Sequence, residues 1–137
     1  MKTVALDASV VLGYLLESNK YAVNKLPTLL RQADKKQIKI ISLPLLSIEV
    51  ANGLRFSLKS PQKAQVILGK FAQLPIKIVD LPKNSMENSL QLAYENETTI
   101  YDTVYHLLAI AHNATLLTCD KQYWHSAKHL NHIELIG

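Results

Sequence analysis

The strongest constraint on this chain is a rhythm of short apolar runs separated by longer amphipathic stretches. The runs are Lys2–Leu6, Ile38–Ser42, Ile76–Leu81 and Thr115–Cys119, with a last one at Ile133–Ile136. They are rich in Val, Ile, Leu and Thr and read as buried strands. Among the intervening stretches, Ser9 is placed to cap a helix through Leu16, and Asn19–Lys36 reads as a helix with a bend near Pro27. Pro44 suits the first turn of a helix reaching about Leu58, with Leu46, Val50, Leu54 and Leu58 on one stripe. Further helices are expected over Pro61–Gln73, Ser85–Asn96 and Tyr101–Asn113, the last capped by Thr99, and over Gln122–Leu130. For Tyr101–Asn113 the expected inner stripe is Val104, Leu107, Leu108 and Ala111.

Strands alternating with helices predict an α/β fold, a parallel sheet covered by helices on both faces. In such folds chemistry gathers beyond the carboxyl ends of the strands, where the strand order reverses. Asp7 and Asp120 each stand immediately after a predicted strand, at that rim.

Composition narrows the function. A chain of 137 residues, 48% hydrophobic and 19% charged, with no repeat or linker, reads as one soluble domain over residues 1–137. The single cysteine, Cys119, excludes an internal disulfide and a multi-cysteine zinc site, and fits a reducing compartment. Four scattered glycines exclude a P-loop and a dinucleotide fingerprint, and no G-x-S-x-G elbow is present. Lys2 before the apolar run Val4–Leu16 mimics a targeting signal, but Asp7 interrupts it and no small-residue cleavage site follows. The uncharged stretch Thr103–Cys119 falls short of a membrane span. A cytoplasmic protein without a membrane role is expected.

Four acids occupy surroundings that a solvated carboxylate rarely chooses. Asp7 lies in VALDASVVL, Glu49 in LLSIEVANGL, Asp102 at the start of YDTVYHLLAIA, and Asp120 at the end of TLLTCD. Taken singly, Asp102 is well explained as satisfying backbone amides in the first helical turn, and Asp7 and Asp120 as loop-start residues. The joint pattern is harder to dismiss, because an apolar setting penalises ionised carboxylate and no Arg or Lys adjoins Asp7, Glu49 or Asp102. If the four converge, pairs about 4 Å apart repel by about 4 kcal/mol each at an effective dielectric near 20. They must then take up protons or hold a cation. Hard oxygen ligands without cysteine select Mg²⁺ or Mn²⁺. Setting those four aside leaves 15 basic residues against seven acids, an acidic pit in a basic field that suits a polyanionic substrate.

These segments resemble the PIN-domain ribonucleases, in particular the VapC-like toxins of bacterial toxin–antitoxin pairs. Asp7 in LDASVV, Glu49 in LLSIEVANGL, Asp102 in TIYDTVYHLLAIA and Asp120 in LLTCDKQY carry the resemblance, which spans nearly the whole chain. It implies a three-layer α/β/α fold with sheet order 3-2-1-4-5. It also implies a divalent-metal endoribonuclease site built from Asp7, Glu49, Asp102 and Asp120, with Ser9 and Thr118 orienting carboxylates or water. Metal-activated water would attack phosphorus in line and leave 5′-phosphate and 3′-hydroxyl ends. RNA as substrate, an antitoxin partner and a homodimer are implied in the same way. Two positions depart from the family pattern: Thr103 follows Asp102 where many relatives have alanine, and Gln122 stands where some carry a further acid. The second speaks against tight binding of a second metal.

Two other readings remain open at this level: a PIN-like RNA- or protein-binding module whose acids are only structural, and a phosphotransferase with Asp7 as nucleophile. The latter lacks the second aspartate two positions on, where Ser9 stands. The histidine run His125, His129 and His132 has Ser126 where a metalloprotease helix needs glutamate, so surface histidines are the preferred reading. Arg55, Lys59, Lys63, Lys70 and Lys77 suit either a nucleic-acid track or, more simply, a solvated face. Tyr123 and Trp124 suit stacking on a base or anchoring a partner, and burial against the sheet is at least as good a reading for Trp124.

Overall fold

A computed structural model describes residues 1–137. Strand β1 (Lys2–Leu6) leads through helices α1 (Ala8–Leu15) and α2 (Lys20–Asp34) to β2 (Ile38–Ser42). Helices α3 (Leu45–Ser57) and α4 (Pro61–Ala72) then connect to the two-residue β3 (Lys77–Ile78). The chain returns through α5 (Ser85–Asn96) and α6 (Ile100–Ala111) to β4 (Thr115–Thr118), and α7 (Lys121–Ala127) with a 3₁₀ turn precedes β5 (Ile133–Leu135).

All pairings are parallel and the sheet order is β3-β2-β1-β4-β5. Parallel crossovers are right-handed. The chain steps from β1 to β2 to β3 in one direction and from β3 back to β4 and β5 in the other, so α1–α4 cover one face and α5–α7 the opposite one. The helix contacts agree: α1 packs on α2 and α3, α3 on α4, and α5 on α6. This is the three-layer α/β/α fold with order 3-2-1-4-5 that the resemblance implied. The order reverses between β1 and β4, which opens a crevice at their carboxyl ends.

Central strands buried on both faces fill the core. Val4, Ala5, Leu6, Ile40, Ile41, Leu116 and Leu117 are essentially inaccessible, and Leu46, Val50 and Leu54 of α3 pack with them as the stripe predicted. Leu58, the fourth member of that stripe, is half-buried at the helix end.

Several element ends differ from the sequence reading for identifiable reasons. Asp7, not Ser9, caps α1: its backbone is extended and its side chain accepts the Val10 N–H. Strand β3 covers only Lys77–Ile78 of the expected Ile76–Leu81, because its partner β2 ends at Ser42 and turns at Leu43–Pro44 into α3. On α6 the expected inner stripe holds for Val104 and Leu108, but Ala111 is exposed and Tyr105, His106 and Ala109 are buried instead. The helix is covered by α5 on one side as well as by β1 and β4, so one stripe cannot describe it. Trp124 is only half-buried and stacks under the Lys128 ammonium, 4.7 Å from its ring centre. No helix is long and apolar enough to cross a membrane.

Leu108 is fully buried in the helix that carries Asp102. Leu108→Ala is expected to destabilise the fold by about 2–5 kcal/mol, checked by urea unfolding. A loss below about 1 kcal/mol would mean that α6 is less tightly seated on the sheet than its burial indicates.

Candidate functional site

The seam between β1 and β4 builds the centre of the site. The register sets Leu6 beside Leu117, so the next residue of each strand, Asp7 and Thr118, also face one another. Thr118 Oγ1 donates to Asp7 Oδ2 at 2.6 Å, and Ser9 Oγ donates to Asp7 Oδ1 at 2.6 Å. The Val10 N–H donates to Oδ1 as well, at 3.2 Å. Both hydroxyls accept in turn: Ser9 from the Cys119 N–H at 2.9 Å, Thr118 from the Asp120 N–H at 3.1 Å. Ser9 and Thr118 thus tie the loop after β4 to the carboxylate after β1.

Asp7 is 9% exposed and has no cation beside it. Burial pushes its carboxyl up to about 6; the bonds from Ser9, Thr118 and Val10 pull the other way without cancelling it, and the Asp102 charge adds to the rise.

Three further elements bring acids to the same edge. Thr99 caps α6 by accepting the Asp102 N–H and donates its own proton to Asp102 Oδ2, both at 3.2 Å. The Asp102 carboxyl is also raised, first by burial, then by the charges of Asp120 and Glu49. Asp120 caps α7, its Oδ1 accepting the Tyr123 N–H at 3.0 Å. Glu49 projects from α3 and accepts from the Tyr105 hydroxyl at 2.6 Å. Asp102 therefore lies in the middle, within electrostatic reach of Asp7, Glu49 and Asp120. As the side chains stand, no three His, Cys, Asp or Glu residues are gathered closely enough to hold one ion. Like charges held by hydrogen bonds to separate elements keep that spacing.

No basic group pairs with any of these acids; the one ion pair in the chain, Lys25–Glu134 at 2.8 Å, lies elsewhere. Oxygen donors with no cation to balance them suit a hard dication, and no soft ligand competes. Cys119 is beside the site, but burial and the Asp7 charge push its thiol up to about 11, so it stays protonated.

A polar cleft of about 300 Å³ adjoins Asp102 and Asp120, with Thr98, Gln122, Tyr123 and Ser126 in its walls. Tyr123 is buried and bonded to a second residue that the sequence reading passed over, His106. The His106 Nε2 lies 2.7 Å from the Asn131 carbonyl, which can only accept, so Nε2 carries the proton. Nδ1 then accepts from the Tyr123 hydroxyl at 2.8 Å. Burial, chiefly, holds the His106 pKa below its ordinary value, so the ring is neutral. Tyr105 is the other residue missed. The sequence signal for both was a polar group inside a helix otherwise made of apolar residues.

The remaining candidates stand apart. His125 and His129 are exposed, and His132 places its Nδ1 3.0 Å from the Ala114 carbonyl, so the C-terminal histidines form no ligand cluster. Arg55, Lys59, Lys63, Lys70 and Lys77 are all exposed, as a solvated face requires.

A family model described as the PIN domain matches residues 4–129. Among solved structures, VapBC2 from Rickettsia felis bound to a DNA fragment from its promoter superposes with a TM-score of 0.70 at 21% identity, covering 97% of this chain and 96% of that one. PAE2754 from Pyrobaculum aerophilum gives 0.66 at 21% identity, covering 91% and 79%. FitAcB from Neisseria gonorrhoeae gives 0.66 at 17%, covering 98% and 96%. At these identities the likeness is one of fold. No curated protein is similar enough in sequence to match.

The raised Asp7 carboxyl makes stability depend on pH. Folded, it keeps its proton up to about pH 6; unfolded, it releases it near 3.8, so between these values the folded state binds more protons. Its contribution is therefore intact below about pH 4 and lost as the pH rises through 6. Asp7→Asn is expected to stabilise the metal-free protein at pH 7.5 by up to about 3 kcal/mol, with the gain shrinking toward zero at pH 4. Urea unfolding at both pH values measures this. A variant less stable than wild type at pH 7.5 would show that the carboxylate is better solvated than its burial implies.

Proposed function

This chain belongs to the PIN-domain family, and on that premise we propose that it is a Mg²⁺- or Mn²⁺-dependent endoribonuclease, the toxin of a toxin–antitoxin pair. One observation carries the reading: acids from four separate segments stand at the edge of one crevice, burial and neighbouring acid charge raise the carboxyls of Asp7 and Asp102, and none of the four has a basic partner. Asp7, Glu49 and Asp102 would hold the main ion, with Asp120 completing or tuning its shell. When bound, that ion supplies the charge that polarises a phosphodiester and lowers the pKa of water.

The chain's own groups do the rest. Ser9 and Thr118 keep Asp7 oriented by donating to both its oxygens, and Thr99 holds Asp102 by donating to Oδ2. The polar cleft beside Asp102 and Asp120 gives a strand of RNA a place to lie. Water as nucleophile needs no RNA 2′-hydroxyl, so the products should carry 5′-phosphate and 3′-hydroxyl ends.

The same reading includes an antitoxin and a second copy of the chain as partners, in the cytoplasm, with residues 1–137 acting as one nuclease domain. An apolar groove lined by Leu43, Leu81, Met86, Ile100 and Tyr101, with Met86 and Tyr101 largely exposed, supports an interface between chains.

A second reading, a binding module without activity, draws on the structural work of the acids: Asp7 caps α1, Asp120 caps α7, and no three are gathered to hold an ion. Phosphotransfer through Asp7 is less favoured, because both its oxygens already accept hydrogen bonds. An Asp7 acyl phosphate would show as a mass increase after incubation with an acyl phosphate donor.

Purified protein, free of any partner, should cleave RNA with Mg²⁺ or Mn²⁺ and stop in EDTA. Asp102→Asn should lower the rate by about 100-fold or more. End-group mapping of the products checks the chemistry: 2′,3′-cyclic phosphate ends, or cleavage that persists in EDTA, would overturn the assignment. A melting temperature that does not respond to Mg²⁺ or Mn²⁺, in the wild-type chain as in Asp102→Asn, would favour the binding module.

A further inference from the structure

Tyr105 is the one uncharged side chain that engages Glu49. It lies three residues after Asp102 on α6, a spacing that sets both on one face of the helix. Its ring belongs to the core and is 2% exposed. Its hydroxyl crosses from α6 to α3 and meets Glu49 Oε1 at 2.6 Å. A carboxylate oxygen only accepts, so the proton lies on the phenol and points at Glu49. Glu49 Oε2 accepts from no protein group.

We propose that Tyr105 is a positioning residue for the cation site: by occupying Oε1 it fixes the Glu49 side chain and reserves Oε2 for a divalent ion. The inference rests on the metal-dependent reading above and extends it to a residue outside the four acids. Three features set Tyr105 apart from ordinary core packing. The bond is short and joins two different helices. It provides the only protein hydrogen bond that Glu49 receives, whereas Asp7 accepts three. The ring, by contrast, could fill the same space without its hydroxyl. A glutamate freed from Tyr105 regains rotamers that must be frozen again when an ion binds, and that entropy weakens binding. Hydrogen-bonded partners of metal-ligating carboxylates act in this way generally, and their loss costs about 10–100-fold in metal affinity or activity.

Tyr105→Phe removes the hydroxyl and keeps the ring. Mn²⁺ binding to the full chain, followed by loss of the free-ion signal in electron paramagnetic resonance, reads the effect without relying on activity. The expected result is a Kd for Mn²⁺ raised about ten-fold or more, while the melting temperature of the metal-free protein stays within a few degrees of wild type. On a Glu49→Gln background the same substitution should change nothing further, because its route to the ion is gone. Unchanged or tighter Mn²⁺ binding in Tyr105→Phe would overturn the inference and leave the metal reading standing. A further loss on the Glu49→Gln background would also overturn it, since Tyr105 would then act by another path. A wild-type chain that takes up no Mn²⁺, or takes it up equally well as Asp102→Asn, overturns the metal reading and this inference together.

Discussion

Everything at the rim of this sheet is arranged around a carboxylate that the fold takes out of water. Asp7 ends the central strand, is almost fully buried, and has no cation beside it. Three donors soften the penalty without removing it, and the carboxyl remains raised to about 6. Two of those donors, Ser9 and Thr118, are themselves fastened to the backbone at Cys119 and Asp120. A costly group has thus been given a rigid setting, the pattern expected where pKa is shifted for use. A residue kept only to cap a helix would cap it as well while exposed.

The rim is also graded. Asp7 is the most deeply set acid, Asp102 is partly open and stands between the others, and Asp120 and Asp102 border the polar cleft. Each acid is held by a hydroxyl or backbone N–H from its own neighbourhood: Thr99 for Asp102, the Tyr123 N–H for Asp120, Tyr105 for Glu49. These neutral donors orient carboxylates and leave their charge intact. Lysine or arginine in the same places would have quenched the negative field that the proposed function requires. The His106–Tyr123 pair extends the arrangement inward, with its tautomer set by the Asn131 carbonyl.

The sequence made the architecture readable because short strands and amphipathic helices leave different periodic marks. Four of the five strands were placed to within about a residue at each end. The exception, β3, lost its predicted length because a strand lasts only as long as its neighbour, a tertiary fact invisible in the run Ile76–Leu81. Asp7, Glu49, Asp102 and Asp120 were singled out by their apolar surroundings, the first three also by having no neighbouring base; Asp7 is buried and the other three are half-buried. The sequence did not show how each acid is held. Tyr105 and His106 sit within an apolar helix, and only the packing of α6 against several neighbours turns them inward. The capping role of Asp7, assigned beforehand to Ser9, was missed for a similar reason: both residues can cap, and the cross-strand bond from Thr118 settles which one faces inward.

The two outer strands carry a separate consequence. Strand β3 has two residues, one of them Lys77, and β5 has three, with Glu134 at its middle, paired to Lys25. Borders this brief and charged give a foreign strand almost no ladder to join, so neither fibril growth nor recruitment by sheet extension finds a template here. Side-chain surfaces are what remains for another polypeptide to recognise, among them the exposed row of Met86, Leu90 and Tyr94 on α5. Specificity there comes from side-chain shape, not from backbone pairing that any extended chain could imitate.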